Sequence, residues 1–196
     1  MRGPAGDLRR DPHVVCRQAE ARQGRPGTTR TFCGTSVCQR DRAGVRSVAR
    51  TIFRSTDLDA LLRRFDRLTP DAHARWGTMT VHRMICHVSD SLRVHLGEMP
   101  AEFRGGHLAN PVARWLLAYV IPFPKAKAQT APEMLQSQPS DWHADLTAAR
   151  EQLRAAAARG PDGPWARHPA FGDVSGKMYG VFVHKHVDHH LRQFGV

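Results

Sequence analysis

The chain has 196 residues, a formal net charge of +11 with histidines counted as neutral, and a hydrophobic fraction of 41%. That is enough apolar material for one domain with a buried core, with or without a tail. It has four cysteines and no apolar N-terminal leader, and its longest apolar run, residues 112–123, contains Arg114 and Pro122. These features argue against a disulfide-rich secreted protein and against a bilayer-spanning helix, and we expect a cytoplasmic protein with reduced thiols.

Residues 1–48 are rich in Arg, Gly, Pro and Thr and show no sustained hydrophobic periodicity, so we predict a disordered basic N-terminal extension. Such an arm can bind nucleic acid or anionic lipid without specificity. No base-reading motif accompanies it, so a solvated tail is the favoured interpretation, with no specific nucleic acid and no membrane as partner. The composition is also that of a translated GC-rich leader, and we expect the native start near Val45 or Val48, which N-terminal sequencing would test.

Helical signals begin after Thr51. Residues 55–68 place Ser and Thr ahead of two Asp and then repeat Leu and Phe at spacings of three and four, which predicts a capped helix. Thr80 is predicted to cap a second helix over residues 81–96, which ends at Gly97.

Three further helices are predicted along the rest of the chain. A short apolar helix covers roughly residues 111–121, and a long helix lies within residues 140–160, with Asp141 near its start. Ser175 begins the last helix, which runs nearly to the C-terminus. Four main helices, long connections and no convincing strand predict an all-α domain over residues 49–196, arranged as an antiparallel four-helix bundle.

The last helix carries four histidines within residues 184–190. At 100° per residue, His186 and His190 lie one turn apart on the face that also holds Tyr179 and Phe182, which we expect to be the core face. A buried imidazole is costly unless its nitrogens have partners. Histidines at i and i+4 are a common helical metal clamp, although many such pairs are solvated.

A third histidine lies on the second helix. His87 falls at the edge of an inner stripe, where it can meet a neighbouring helix. Asp90 is predicted to accept the other N–H of its ring, or else to be solvated on the polar side. The inner stripe consists of Met84, Ile85, Val88, Ser91, Leu92 and His95. Three neutral imidazoles from two helices would leave coordination positions free for water or substrate, as catalytic metal sites do. A boundary histidine held by a hydrogen bond is the alternative for His87.

Several motifs point to one family. The chain has WGTM at residues 76–79, HPAFG at residues 168–172 and KHVDHHLRQFG at residues 185–195. With these motifs, residues 51–196 resemble the DinB/YfiT-like superfamily of metalloenzymes, and in particular a branch of unknown function. The resemblance implies a DinB-like bundle and a divalent metal held by His87, His186 and His190. Leu191 and Arg192 replace the Arg-Gly pair of many members, which weakens any transfer of chemistry from distant relatives.

Three imidazoles without a carboxylate suit Zn, Ni, Fe or Co better than Mg or Ca. The resemblance implies hydrolysis or thiol-dependent transfer on a small molecule, a low-molecular-weight thiol as a partner, and a homodimer. A non-catalytic metal-binding or stress-associated bundle is the alternative.

Two further residues are candidates for catalytic roles. Gln193 is predicted to orient a ligand ring or a metal-bound water, or else to contact a loop. His168 is predicted to act as an acid–base group at the pocket mouth, or else to stabilise a turn. Cys86 faces away from the predicted site, which argues against cysteine–histidine catalysis.

Overall fold

The computed structural model describes residues 49–123, 125 and 130–196. These residues form no strand, and an isolated bridge pairs His168 with Gly172. They contain two short 3-10 turns, at His107–Ala109 and Pro132–Leu135, and five α-helices, which are α1 (Ser55–Phe65), α2 (Val81–Leu96), α3 (Pro111–Tyr119), α4 (Trp142–Arg159) and α5 (Gly176–Gln193). The helical prediction is confirmed for this part of the chain, whereas the predicted extension, residues 1–48, lies outside the described residues.

Capping side chains set the ends of the helices that carry the candidate site. The Thr80 hydroxyl accepts a hydrogen bond from the amide of Arg83 at the start of α2, and Gly97 ends this helix with φ of 78°, a conformation that glycine adopts without strain. Ser175 caps α5 in the same way as Thr80 caps α2. Both ends of α2 and the start of α5 were therefore predicted correctly.

The predicted cap of α1 was wrong. Arg54 occupies the N-cap position and makes no side-chain cap, and Ser55 is already helical. Instead, the Asp57 carboxylate accepts hydrogen bonds from the amide of Thr51 at 3.2 Å and from the Arg54 guanidinium at 2.9 Å. An acidic side chain in the first turn stabilises a helix N-terminus through the helix dipole, so α1 starts without a hydroxyl cap.

The main core lies between α1, α2, α4 and α5. Burying one large aliphatic side chain contributes roughly 1.5–3 kcal/mol, so this core accounts for most of the packing that holds the helices together. Its most buried members are Ile52, Leu61, Phe65, Met84, Ile85, Val88, Leu92, Ala149, Leu153, Ala156, Val183, Val187 and Leu191. None of the described helices is long and apolar enough to cross a bilayer.

Contacts at the helix ends define the helix directions. His82, near the start of α2, contacts Asp145 in the first turn of α4, and Arg159 at the end of α4 donates to the carbonyl of Leu96. The helices α2 and α4 therefore run in the same direction, so the predicted antiparallel alternation does not hold between them. The reason is the long connection over residues 97–141, which leaves room for the chain to cross back before α4 begins.

Lys185 on α5 contacts the end of α3. Its ammonium donates to the carbonyls of Leu117 at 2.5 Å, Ala118 at 3.1 Å and Ile121 at 2.7 Å. The last carbonyls of a helix lack partners within the helix, and a cation satisfies them and favours the helix dipole. Lys185 therefore joins α3 to α5, beside the two histidines at positions 184 and 186.

Candidate metal centre

Three histidines from two helices meet between α2 and α5. Nε2 of His186 lies 3.0 Å from Nε2 of His87 and 3.0 Å from Nε2 of His190. His87 is 3% exposed and His190 is 9% exposed, whereas His186 is half-buried. The structure thus brings together the three residues that the sequence predicted, and each offers one nitrogen to a common point.

The tautomer of His87 follows from its other ring nitrogen. Nδ1 of His87 lies 2.9 Å from the carbonyl oxygen of Met134, and a carbonyl oxygen only accepts hydrogen bonds. Nδ1 therefore carries the proton of the neutral ring. The lone pair on Nε2 is left free, and it points at His186.

Gln193 determines the tautomer of His190. The amide nitrogen of Gln193 donates to the carbonyl of Trp76 at 2.8 Å, which places its amide oxygen 2.9 Å from Nδ1 of His190. Nδ1 is then the donor and Nε2 again carries a free lone pair. One proton on Nε2 of His186 can pair with one of these two lone pairs, not with both. A cation at the centre would satisfy all three nitrogens.

The distances suit a metal ion of the zinc class. Ligand nitrogens that lie 2.0–2.1 Å from tetrahedral zinc are separated by about 3.3 Å, close to the 3.0 Å between the ring nitrogens here. In the region that the structure describes, no carboxylate or thiol joins this group of three, so the donor set is all imidazole. Such a set favours zinc, nickel or iron over magnesium or calcium.

Burial keeps the three rings neutral. Desolvation, and secondly the nearby His87, lowers the pKa of His190 from 6.5 to about 3. Desolvation is also the largest cause that lowers the pKa of His87, and it lowers the pKa of His186 well below the ordinary value, with repulsion from His190 next. Neutral imidazole is the form that binds metal ions, so no proton has to be displaced near neutral pH.

Gln193 should strengthen metal binding through His190. In Gln193→Leu, Nδ1 of His190 loses its acceptor and the ring loses its fixed orientation, so we expect metal affinity to fall roughly 10- to 100-fold. Competition with a chromogenic chelator would measure the change. Gln193→Glu keeps an acceptor oxygen and should recover most of the affinity, whereas Gln152→Leu on α4 is a matched control. Unchanged affinity in Gln193→Leu would refute the orienting role.

His168 contacts the HPAFG turn rather than the three histidines. Its Nδ1 accepts from the amides of Ala170 at 3.0 Å and Phe171 at 3.2 Å, and its ring stacks on His95 with centroids 5.1 Å apart. His95 lies two turns beyond His87 along α2, roughly 12 Å away. These contacts favour the turn-stabilising alternative, and the acid–base role of His168 stays a prediction.

Asp90 does not hold His87, contrary to the prediction. Its buried carboxylate accepts from the amide of Ser137 at 2.8 Å and from the Ser137 hydroxyl at 2.6 Å. The partner of His87 is the carbonyl of Met134, three residues earlier on the same connection. Asp90 thus holds, through Ser137, the segment that supplies the Met134 carbonyl. A hydrogen bond to a backbone carbonyl does not depend on the residue type that supplies it, so the sequence pattern could not predict this contact.

Ser91 and His95 are polar side chains whose importance the sequence did not reveal. They are 1% and 4% exposed, and within the described residues neither the Ser91 hydroxyl nor either ring nitrogen of His95 has a hydrogen-bond partner. Each such group costs roughly 1–3 kcal/mol when buried unpaired. Both follow His87 on the inner stripe of α2, so the polar interior continues away from the metal centre.

Aromatic side chains border the centre on the α5 side. The ring of Phe123 stacks on His186 with centroids 5.9 Å apart. Trp76 packs edge-on against His189, with ring centroids 5.5 Å apart. His189 is half-buried, and His184 is buried at 4% exposure. Neither belongs to the group of three.

Comparison with known proteins gives one match. No curated protein and no solved structure matches the chain significantly. Residues 49–195, which include all three histidines, match the model of a family described as a protein of unknown function (DUF1569). Since this match covers about three quarters of the sequence, the chain belongs to the DUF1569 family.

Proposed function

We propose that this protein is a divalent-metal-dependent enzyme of the DinB/YfiT-like type, built on a four-helix bundle. His87, His186 and His190 would hold one zinc, nickel or iron ion. The observation that carries the proposal is the pair of fixed tautomers. The Met134 carbonyl and the Gln193 amide each occupy one Nδ1, so two free lone pairs converge on the third imidazole.

An open site supports catalysis rather than a purely structural metal. Structural zinc sites are closed by four protein ligands, whereas catalytic sites keep a position for water or substrate. In the described part of the chain, three protein ligands form this group. The unpaired hydroxyl of Ser91 and the unpaired ring of His95 are groups that a bound substrate or water would pair with. A non-catalytic metal-binding bundle is the competing function.

The chemistry follows from the donor set. A bound ion of this class lowers the pKa of a coordinated water or thiol, which yields a nucleophile near neutral pH. Gln193 would hold the His190 ring in its coordinating orientation, and Phe123 and Trp76 would limit solvent access. Among the described residues, no cysteine belongs to the three-histidine group, so the proposed reactions are hydrolysis and thiol-dependent transfer on a small molecule.

The remaining features of the proposal are a cytoplasmic location, a low-molecular-weight thiol as a co-substrate and a homodimer. Exposed apolar side chains on α3 support the last of these, since a contiguous apolar stripe often marks an interface. The stripe comprises Val112, Trp115 and Tyr119, which are 66%, 52% and 41% exposed.

Cobalt substitution tests whether the centre is open. In a variant with Cys16, Cys33, Cys38 and Cys86 replaced by Ser, the Co(II)-loaded protein should develop a thiolate-to-cobalt absorption band when 2-mercaptoethanol is added, because a free position accepts the thiolate. The His186→Ala variant should not develop this band. Azide, a second small ligand, is added in a parallel experiment. A Co(II) spectrum that changes with neither the thiol nor azide would indicate a closed site and favour the non-catalytic alternative.

Turnover then tests catalysis itself. The zinc-loaded protein is assayed for hydrolysis of p-nitrophenyl acetate and for transfer of 2-mercaptoethanol to 1-chloro-2,4-dinitrobenzene, with His186→Ala as the background. Activity that requires His186 in either assay supports the proposal. An open site with no turnover above that background in either assay would count against an enzyme of these two reaction classes.

A further inference from the structure

A second cluster of metal-ligating side chains lies between α2 and α4. His82 and Cys86 are four residues apart and project from the same face of α2, and Asp145 faces them from the first turn of α4. Nε2 of His82 lies 2.8 Å from Oδ2 of Asp145, and the thiol sulfur of Cys86 lies 3.9 Å from the same oxygen. One ligand atom from each residue lies within 4.8 Å of the others.

An ordinary ion pair accounts for only part of this arrangement. The Asp145 carboxylate accepts from the amide of Ser140 at 2.9 Å and pairs with His82, which joins the starts of α2 and α4 without any sulfur. The thiol adds little to that contact, because S–H is a weak donor. The Ser140 hydroxyl lies 3.2 Å from Oδ1 and 3.3 Å from Oδ2. These contacts leave the placement of the Cys86 sulfur beside this carboxylate unexplained.

The separations fit tetrahedral coordination after small side-chain rotations. With zinc–sulfur bonds of about 2.3 Å and zinc–nitrogen or zinc–oxygen bonds of about 2.0 Å, neighbouring ligand atoms lie roughly 3.3–3.5 Å apart. The observed 2.8 Å and 3.9 Å contacts lie on either side of that range. Trp142 packs edge-on against His82 with ring centroids 5.5 Å apart, which keeps the imidazole aimed at Asp145.

Burial places the softest ligand inside and leaves a path for the ion. Cys86 is 3% exposed, whereas the side chains of His82 and Asp145 are 24% and 22% exposed. An ion can therefore enter from solvent, bind the Cys86 sulfur on the inner side as the thiol releases its proton to solvent, and keep water as a fourth ligand. A mixed sulfur, nitrogen and oxygen set selects zinc-class ions over magnesium or calcium.

We propose that His82, Cys86 and Asp145 form a second divalent-metal site, of the zinc class, that fastens the first turns of α2 and α4. It shares no ligand with the three-histidine centre, because Cys86 and its neighbour His87 project to different sides of α2. The second site therefore does not depend on the proposed enzymatic function, and either one can fail without the other.

Cobalt spectroscopy separates the two sites. In a full-length chain with Cys16, Cys33 and Cys38 replaced by Ser and no added thiol, Cys86 is the remaining thiol. We expect two equivalents of Co(II) per chain and a thiolate-to-cobalt band, which an all-imidazole centre does not produce. Cys86→Ser should abolish the band and reduce the bound Co(II) from two equivalents to one. His186→Ala should keep the band and lose the other equivalent.

The remaining variants test whether all three side chains bind the ion or whether Cys86 binds it alone. His82→Gln and Asp145→Asn should each weaken the Co(II) affinity of the band at least tenfold, while Gln152→Leu, also on α4, should leave it unchanged. A single equivalent with no band would overturn the second site and leave the first untouched. A band that requires Cys86 but is unchanged in both His82→Gln and Asp145→Asn would also overturn the second site. It would show that the Cys86 thiol binds cobalt without the other two side chains.

Discussion

Replacing His87, His186 or His190 with Ala in the Cys86→Ser background is expected to reduce bound divalent metal from about one equivalent per chain to less than about 0.1. Each of these rings contributes one of three converging nitrogens. Since loss of an outer contact alone weakens metal sites by roughly 10- to 100-fold, loss of a direct ligand should cost more. Elemental analysis after dialysis against a fixed concentration of free zinc measures the effect.

Two neighbouring histidines provide matched controls. His189→Ala removes a half-buried imidazole whose ring centroid lies 5.2 Å from that of His190, and His184→Ala removes a buried one. Neither points a nitrogen at the common centre, so both variants should retain most of the metal. Equal loss in all five variants, with helical circular dichroism preserved, would show that the three ligand positions are misassigned.

The metal-free protein is expected to lose stability as pH falls below about 6.5. Burial, and secondly the nearby His87, lowers the pKa of His95 from 6.5 to about 4. Between these two pKa values, His95 therefore binds a proton in the unfolded chain but not in the folded chain. The contribution of His95 to the free energy of unfolding is fully present above about pH 6.5, its pKa in the unfolded chain. It is lost as the pH falls towards about 4, its pKa in the folded protein. This one residue should lower the free energy of unfolding by about 2 kcal/mol between about pH 7 and about pH 5.

Urea denaturation of the metal-free protein at these two pH values tests the linkage. His168, which stacks on His95, also has its pKa lowered well below 6.5, chiefly by burial, so it acts in the same direction. His95→Phe preserves the aromatic packing and should remove about 2 kcal/mol of the pH-dependent loss. The same pH dependence in His95→Phe as in the parent protein would mean that His95 is not the group responsible.

Family membership alone does not define the chemistry of this protein, because the matched family is described as one of unknown function. The side-chain geometry is more informative. Fixed tautomers at His87 and His190 and a half-buried third imidazole at His186 describe a group of nitrogens that could hold a metal ion. A protein interior normally satisfies its buried polar groups, and Ser91 and His95 are exceptions that follow His87 along the inner stripe of α2.

The sequence by itself determined the features that depend on near neighbours along the chain. Thr80 and Gly97 mark the ends of α2 because capping and left-handed glycine act within one turn. His186 and His190 share a face because the helical period is 3.6 residues. The third ligand position, His87, came from combining the same periodicity with the family resemblance, and the structure places it beside the other two.

Only the tertiary structure decided the features that depend on how distant segments meet. The parallel direction of α2 and α4, the Met134 carbonyl on His87 and the contact between Asp145 and Cys86 all depend on the path of residues 97–141. Outside α3, residues 97–141 have little hydrophobic periodicity, and a backbone carbonyl that accepts a hydrogen bond leaves no pattern in the sequence. Helical propensity and capping are local properties, whereas the partner of a buried polar atom is set by long-range packing, which no local pattern specifies.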